Sequence, residues 1–358
     1  MDIEQFWEYI FSEDKDLVGR AWDTLEEDER ASVRRLLEGV MADPDRIADQ
    51  RAAAKFAIGC IDDSGATASV ATEWATGATA RVAPTILPEG LLEFARGLGR
   101  QTGERLKFAS GQLIASTKKD GTLVTAFDIE TDREITAAIK ARYPDHGVLS
   151  EEGEKVYHGQ EWCWVIDPID GTTNFTWGFP GWGVLIALLH QGQPVLGVAE
   201  FPPVGQQYYA VRGQGAWRKT ETGYGDGPIH TTTDTAFTTT SLFAVGTRAL
   251  NPGNPNIPCK LRLPGSAGFD FAALAGGACA GAFDAALHVW DIAALWPIVE
   301  EAGGRVITDH PGGLFPLRAG VDYNAVVFSV LGAGTPELQA EALAGLSDRF
   351  SLPSPAAS

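Results

Sequence analysis

The sequence predicts a layered α/β fold of the α+β kind, preceded by a small all-helical segment. Apolar residues recur at helical spacing through the first 62 residues. From residue 88 onward, helical patterns alternate irregularly with short apolar strand patterns, and the middle of the chain is rich in hairpin signals. This mixture favours stacked helix and sheet layers over a plain doubly wound parallel sheet.

The N-terminal segment carries its apolar residues in helical groups, such as Phe6, Trp7 and Ile10, and the Asp43-Pro44 pair interrupts the pattern. We therefore predict a helical appendage over residues 1–62 that could contact another protein or subunit. Residues 63–87 are rich in Ala, Thr, Ser and Gly, which is typical of a linker. The main domain is expected over residues 88–350, followed by a disordered tail at 351–358.

Within the main domain, the patterns predict the elements in a definite order. Helices are expected over residues 88–117, 130–142, 266–281 and 336–346. A further helix is expected to begin with Asp291 as its N-cap and to end at Gly303. Strands are expected at GVLS, WCWVI, GVLIALL, PVLGVAEF, QQYYAVR, RVIT and NAVVFS. The turn from His190 to Gln193 should join two of these strands as a hairpin.

Charge and composition exclude several classes of protein. The net charge of −19 argues against nucleic acid as a partner. The acidic N-terminus does not resemble a signal peptide, and no apolar run reaches the length of a membrane span, so a cytoplasmic protein without a membrane partner is expected. The four cysteines form no zinc pattern, and free thiols are expected.

The stretch DPIDGTTNF, residues 167–175, follows the apolar run WCWVI and concentrates polar groups. Asp167 and Asp170 supply carboxylates, and Gly171 and Thr172 supply backbone N–H groups that can face an anion. The acids stand three apart, which disfavours an aspartyl-phosphate motif with acids two apart. The residues that follow also lack the ligand pattern of a calcium-binding EF-hand loop. A Mg²⁺ site beside a phosphate cradle is the pairing that phosphoryl hydrolysis needs.

Further acids fit this interpretation. Glu151 and Glu152 follow a predicted strand, and Asp291 follows the sequence His288-Val289-Trp290. Where four carboxylates meet without cations, some of them would have to take up protons, whereas two or three Mg²⁺ ions would neutralise the cluster. Each residue also has an ordinary alternative: Asp291 as a helix N-cap only, Asp128 as a solvated acid at a helix start, and Glu152 as a surface carboxylate.

These motifs, together with LVTAFD and WDIAALWPIVEEAGG, resemble the inositol monophosphatase family over about residues 88–350. The resemblance implies an αβαβα sandwich of the sugar-phosphatase type, a Mg²⁺-dependent and lithium-sensitive phosphomonoesterase, and a homodimer. Similarity extends to the histidinol-phosphate phosphatases of the same superfamily, notably in GFPGWGVLIALLHQGQPVLGVAEFPP.

The resemblance also implies site roles. Glu151, Asp167 and the Ile169 carbonyl would bind one Mg²⁺; Asp167, Asp170 and Asp291 would bind a second; and Glu151 would hold a third ion through water. Thr172, paired with Asp128, would activate the attacking water, with Glu152 in support. The amides of Gly171 and Thr172, with Thr173, would hold the phosphate, and no phosphoenzyme would form. Lys118 or Lys119 could lie in a solvated turn or aid the site.

The substrate is left open by the residues before Asp291. The family's inositol-specific members place a substrate-binding glutamate seven residues before that aspartate, where this chain has Asp284, and His288 is a second candidate. Inositol 1-phosphate is the first expectation and histidinol phosphate the alternative. A 3′(2′),5′-bisphosphate nucleotidase, a fructose-1,6-bisphosphatase and a non-catalytic homologue fit the motifs less well.

Overall fold

The computed structural model describes residues 87–111, 116–117, 123–250 and 256–346, and six isolated positions before them. The chain divides into two compact units, residues 1–80 with 353–358, and residues 81–352. The six isolated positions of the first unit all lie in helices: Trp22, Arg30, Val33, Arg34, Leu37 and Ile58. The other described ranges leave out the rest of the predicted appendage, residues 63–86 of the predicted linker, the tail, Cys60, Lys118 and Lys119.

The second unit consists of helices and two main sheets. Its helices are α1 (Leu91–Lys107), α2 (Ala126–Arg142), α3 (Thr172–Trp177), α4 (Ala267–Ala275), α5 (Val289–Ile292), α6 (Leu295–Glu301) and α7 (Pro336–Gly345). Its first nine strands are β1 (Ser116–Thr117), β2 (Leu123–Val124), β3 (Gly147–Ser150), β4 (Trp162–Asp170), β5 (Gly183–His190), β6 (Gln193–Phe201), β7 (Gln206–Val211), β8 (Ala216–Thr220) and β9 (Gly227–Pro228). The remaining strands are β10 (Leu242–Val245), β11 (Lys260–Arg262), β12 (Gly281–Leu287), β13 (Arg305–Thr308) and β14 (Phe328–Ala333).

The two main sheets differ in how their strands are connected. Within the described residues, β3 to β9 form one sheet in chain order, antiparallel except for the parallel pair β3–β4. The second sheet has the order β11-β10-β12-β14-β13, and β10 is parallel to both of its neighbours. The short pair β1–β2 stands apart from both sheets.

The layers follow from which helices cover which sheet face. Helices α1 and α2 pack on the outer face of the first sheet, against β4, β5 and β6. Helices α4 and α6 lie between the sheets and contact strands of both. Helix α7 covers the outer face of the second sheet, against β12 and β14. The predicted αβαβα sandwich is confirmed for the described part of the chain.

The middle layer is tightly packed at one strand. A Cβ at Gly197 on β6 would come within 1.9 Å of the Ala294 carbonyl oxygen, which lies at the start of α6. Only a residue without a side chain allows this helix to approach the strand so closely. The close approach fixes α6, and with it the neighbouring α5, against the first sheet.

Several predicted boundaries were wrong. The helix predicted over 88–117 ends at Lys107, and residues 116–117 form a strand instead. The helix predicted over 266–281 ends at Ala275, and β12 begins at Gly281. Strand β14 starts at Phe328, so NAVV is not part of a strand. The predicted hairpin is confirmed, since His190 pairs with Gln193.

Two other features concern the membrane and the thiols. Of the helices in the described ranges, none has the length and apolar composition needed to cross a membrane. Cys163, Cys259 and Cys279 are free thiols, of which Cys259 is only partly buried.

Candidate active site

A cavity of about 430 Å³ opens where the middle layer meets the ends of both sheets. Its lining includes most of the residues singled out by sequence: Glu151, Glu152, Asp167, Ile169, Asp170, Gly171, Thr172, Thr173, Asp284, His288 and Asp291. Asp128 does not line it but contacts Thr172, which does. The structure therefore brings the predicted site residues together.

The two aspartates of DPIDGTTNF reach the cavity because their strand is irregular. The strand β4 continues through Asp170, rather than ending before the acids as predicted. Side chains three positions apart on a regular strand face opposite sides. A bulge against β5 between Asp167 and Asp170 inserts one residue and returns both side chains to the same side.

The turn after Asp170 depends on Gly171. This residue has a φ of 81°, and a Cβ on it would lie 2.8 Å from the Gly181 carbonyl oxygen and 2.9 Å from Ser266. Such a conformation and so little space favour glycine. Helix α3 starts directly after it, so Thr172 is the first residue of the helix and lines the cavity.

Asp167 and Asp170 are buried carboxylates with different partners. Asp167 Oδ1 accepts a hydrogen bond from the Ile169 N–H at 3.0 Å. Asp170 Oδ2 accepts from the Ser266 hydroxyl and, at 2.9 Å, from the Gly268 N–H. Both of these donors lie at the start of α4, so the middle layer holds Asp170 in place.

Burial is the main cause of the unusual acidity of these groups. Burial, followed by the negative charge of Glu151, Asp170 and Asp291, raises the pKa of Asp167 well above its usual range. Burial raises the pKa of Asp170 to about 7, although its two hydrogen-bond donors act in the opposite direction. The protein groups around these carboxylates therefore do not compensate the full negative charge that the ionised acids would carry.

Asp291 joins this group from α5. Its Oδ2 accepts a hydrogen bond from the His288 N–H at 2.8 Å, in a capping box whose N-cap is His288. The prediction that Asp291 is the N-cap was therefore wrong, because it is the third residue of the helix. Burial and the charge of Glu151 raise the pKa of Asp291.

Thr172 and Asp128 form a hydrogen-bonded pair at the cavity wall. Thr172 Oγ1 lies 3.0 Å from Asp128 Oδ1 and 3.1 Å from the Ile169 carbonyl oxygen, and its single proton can be donated to one of them at a time. Asp128 is buried in the first turn of α2, where its other oxygen accepts from the Thr125 N–H at 2.7 Å and from the Thr125 hydroxyl at 2.6 Å. The alternative of a solvated Asp128 is wrong.

Asp284 and His288 face the far side of the cavity from β12 and the segment after it. Burial raises the pKa of Asp284 to about 7, opposed by the Ala285 N–H and by the charge of Arg248. His288 Nδ1 donates to the Val326 carbonyl at 3.2 Å, since a carbonyl can only accept, and its ring stacks on Trp290. Both candidates for the substrate contact are therefore present at the cavity.

Sequence reasoning missed several lining residues, among them Lys155, Arg248, Ser266 and Asn324. Lys155 Nζ donates to the Glu151 carbonyl and lies 5.4 Å from the centroid of the Trp290 ring. Ser266 carries a recognisable helix-start signal, because it precedes α4 and its hydroxyl accepts from the Phe269 N–H. Arg248 and Asn324 have no local signal and reach the cavity only through the fold.

A further buried acid is influenced by two of the aspartates that line the cavity. Asp270 on α4 is fully buried, and among the described residues neither of its carboxylate oxygens has a hydrogen-bond partner. Burial and the charges of Asp284 and Asp170 raise the pKa of Asp270 well above its usual range. Burial therefore favours the neutral form of this carboxyl group.

The donor chemistry fits a hard divalent cation. Mg²⁺ prefers carboxylate and carbonyl oxygens, which Glu151, Asp167, the Ile169 carbonyl, Asp170 and Asp291 offer around one cavity. The raised pKa values of the aspartates indicate a charge excess that a cation would relieve. Within the described ranges, no group of three or more His, Cys, Asp or Glu side chains is placed so that it could hold a metal ion as it stands.

Comparison with known proteins agrees with this geometry. The model of the inositol monophosphatase family matches residues 87–348. The histidinol-phosphatase of Chlorobaculum parvum is 34% identical over 222 residues, which cover 60% of this chain and 82% of that protein. The Nus factor SuhB of Escherichia coli K12 is 33% identical over 251 residues, covering 66% of this chain and 87% of that protein. Among solved structures, the Thermotoga maritima IMPase superposes with a TM-score of 0.60 at 26% identity, covering 72% of this chain and 96% of that one.

Proposed function

Because the chain belongs to the inositol monophosphatase family and is thus a phosphoric monoester hydrolase, we propose that it is a Mg²⁺-dependent phosphatase of a small phosphorylated polyol, with inositol 1-phosphate as the first candidate. The observation that carries the proposal is the meeting of Glu151, Asp167, Asp170 and Asp291 at one cavity, beside the Thr172–Asp128 pair. Acids that raise one another's pKa in a buried site call for cations, and a phosphate ester brings further negative charge that the same cations balance.

The proposed roles divide the cavity into two ends. Two or three Mg²⁺ ions would be held by Glu151, Asp167, the Ile169 carbonyl, Asp170 and Asp291. When bound, they would supply Lewis acidity to the phosphoryl group and to the attacking water. The Gly171 and Thr172 N–H groups would bind phosphate oxygens, with Thr173 beside them at the cavity wall.

The chain's own residues provide the proton acceptor. When Thr172 Oγ1 donates its proton to Asp128, the lone pairs of the hydroxyl remain available to accept from a water molecule. Asp128 is held by two donors from Thr125 and cannot swing away easily. A water bonded to Thr172 would be oriented towards the phosphorus, and its proton would pass through Thr172 towards Asp128, with Glu152 in support at the rim.

The leaving group would occupy the end of the cavity lined by Asp284 and His288. The Asp284 carboxylate can accept a hydrogen bond from one hydroxyl group of a polyol. The imidazole ring of His288 can pack against the ring carbons of a cyclic polyol. Histidinol phosphate is the second candidate, because two relatives described as histidinol-phosphatases, from Chlorobaculum parvum and Mycobacterium tuberculosis, are 34% and 32% identical to this chain. The carboxylate form of Asp284 could also accept a hydrogen bond from the ammonium group of histidinol phosphate. A homodimer remains a proposal that the family resemblance supports.

Phosphate release tests this function. With Mg²⁺, the purified chain should release inorganic phosphate from inositol 1-phosphate or histidinol phosphate with a higher kcat/KM than from adenosine 3′,5′-bisphosphate or fructose 1,6-bisphosphate. EDTA should abolish the release, and added Mg²⁺ should restore it. Release that is unaffected by EDTA would contradict the metal assignment, and no release from any of the four esters would contradict the proposed function.

Metal binding should depend on pH in a definite direction. The folded, metal-free chain holds protons on acids such as Asp170, whose pKa is about 7 instead of 3.8. Between these values the folded state binds more protons than the unfolded state, so the stability contribution of Asp170 falls as the pH rises from about 4 to about 7. Mg²⁺ replaces those protons, and the Mg²⁺-induced rise in Tm should therefore be larger at about pH 8 than at about pH 5.

Thermal unfolding in EDTA and in excess Mg²⁺ at both pH values measures this effect. The Asp170→Asn variant serves as the reference, because asparagine does not titrate and should reduce the pH dependence. An equal Mg²⁺ effect at the two pH values would contradict the assignment of these acids as the metal ligands.

A further inference from the structure

The cavity end that would receive the leaving group carries a cation that no motif predicted. Arg248 lies in a short 3₁₀-helix, Thr247–Leu250, which Gly246 separates from the end of β10. Strand β10 is parallel to β12 and pairs Val245 with Phe283, so the segment leaving β10 runs beside the residues that follow Phe283. The second sheet thereby places Arg248 near Asp284, although 36 positions separate them in the sequence.

Gly246 makes this approach possible. Its N–H donates to the Phe283 carbonyl at 2.9 Å, and a Cβ on Gly246 would lie only 1.9 Å from Asp284 Oδ1. Any side chain there would displace the carboxylate. The backbone of this segment therefore passes directly over Asp284 and carries Arg248 to the cavity wall.

The Arg248 side chain is anchored at a strained position. Its Nη1 donates to the Ala286 carbonyl at 3.0 Å. Ala286 has a φ of 60°, in the left-handed region that non-glycine residues avoid, and it lies in the bulge of β12 between Asp284 and Leu287. Such a conformation persists only where its surroundings hold it, and the Arg248 contact is one of the interactions that do so.

The charges around the cavity are unevenly distributed. Among the described lining residues, the lysines and arginines are Lys155 and Arg248. Lys155 is bound at the carboxylate end, where it donates to the Glu151 carbonyl and lies over the Trp290 ring. Arg248 is thus the cation beside Asp284, and its charge is felt by that carboxyl group.

A guanidinium next to a carboxylate distinguishes hydroxyl groups from ammonium groups. A hydroxyl can accept a hydrogen bond from Arg248 while it donates one to Asp284. An ammonium group has no lone pair to offer Arg248, and its charge is repelled by the guanidinium as it approaches Asp284. We propose that Arg248 is a specificity-determining residue that favours a neutral, hydroxyl-bearing leaving group over a cationic amino alcohol. This inference rests on the proposed phosphatase function.

Substitution of Arg248 tests the inference with two pairs of substrates. 2-Hydroxyethyl phosphate and phosphoethanolamine form a small pair that differs only in the terminal hydroxyl or ammonium group, and inositol 1-phosphate and histidinol phosphate form a larger pair. The measured quantity is the ratio of kcat/KM for the polyol ester to that for the amino ester. In Arg248→Gln this ratio should fall by about tenfold in both pairs, as expected for an exposed charge. In Arg248→Lys the preference for the polyol ester should persist.

Two controls separate the charge from the anchoring role. Ala286→Gly relieves the strained φ while it keeps the guanidinium, so the ratio should stay at the wild-type value. Added salt should reduce the wild-type ratio but should have little effect on Arg248→Gln, because salt screens an exposed charge.

The outcomes that overturn the proposal are distinct. Arg248 would be only a structural anchor if Arg248→Gln lowered kcat/KM equally for both members of each pair. The same conclusion would follow if the Lys and Gln variants behaved identically. A complete absence of phosphate release by the wild-type chain with Mg²⁺ would instead overturn the proposed function, and this inference with it.

Discussion

Asp170→Asn should lower kcat/KM for phosphate release by at least about 1,000-fold. The substitution removes one of the charged ligands proposed to hold the cations on which the reaction depends. Asparagine has nearly the same shape as aspartate. Its carbonyl oxygen can keep the hydrogen bonds from the Ser266 hydroxyl and the Gly268 N–H that Asp170 Oδ2 accepts. The amide NH₂ would then face the cavity, where it offers hydrogen atoms in place of a lone pair to a cation.

The variant should fold at least as well as the wild-type chain when no metal is present. Burial raises the pKa of Asp170 to about 7, so an ionised Asp170 destabilises the metal-free fold at neutral pH. A neutral asparagine avoids this cost. We therefore expect an equal or higher Tm in EDTA, together with a smaller Tm increase on addition of Mg²⁺.

This combination of measurements excludes a trivial loss of activity through unfolding. Asp234→Asn is a matched control, because Asp234 is an exposed aspartate away from the cavity and its substitution should leave activity and Mg²⁺ response at wild-type values. Activity of Asp170→Asn within about tenfold of wild type would contradict the role proposed for this carboxylate.

The carboxylates could be found from sequence because their signals are local. Asp167 and Asp170 end an apolar run, and Asp291 follows a tryptophan at a helix start, so each stands beside a secondary-structure boundary that residue types mark. Even there, the local signal gave the wrong geometry. Only pairing with β5 creates the bulge that turns both aspartates to one side.

Most of the second sheet could not be predicted: RVIT coincides with β13 and NAVVFS overlaps the start of β14, but β10, β11 and β12 lack a distinctive pattern. The sequence from Ser266 to Leu287 is rich in Ala and Gly, whose small side chains carry no clear periodicity. Residues 266–281 therefore suggest one long helix, whereas in the structure Gly276 and Gly277 end α4 and β12 follows. The position of Arg248 beside Asp284 depends on the parallel pairing of β10 and β12, which is a long-range contact that no local residue type encodes.

Helix α1 is shorter than predicted for a related reason. Its apolar pattern runs on past Lys107, but Gly111 adopts a φ of 76° and its N–H donates to the Phe175 carbonyl on α3. A Cβ on Gly111 would lie 3.2 Å from the Gly178 Cα, so these two segments of the chain contact each other at a pair of glycines. This tertiary contact holds residue 111 outside the helical conformation that the apolar pattern favours there.

Thr172→Val should lower kcat by about 100-fold while it leaves KM and the Mg²⁺-induced rise in Tm close to their wild-type values. The substitution replaces the hydroxyl by a methyl group and keeps the backbone N–H proposed to bind phosphate. Asp128 would lose the donor at 3.0 Å but would keep both donors from Thr125, so its carboxylate should stay in place. The loss should therefore fall on the orientation and deprotonation of water and not on binding.

Thr172→Ser is the matched control, since serine restores the hydroxyl at the same position and should retain most of the activity. Asp128→Asn is less informative, because Asp128 also closes the capping box at the start of α2 and its substitution would cost about 1 kcal/mol of helix stability. If Thr172→Val keeps full kcat, or if it weakens the Mg²⁺ response as much as Asp170→Asn does, the Thr172–Asp128 pair does not position the water. A loss of metal binding in Asp170→Asn and a loss of turnover in Thr172→Val would show that these two residues, separated only by Gly171, have different roles in the reaction.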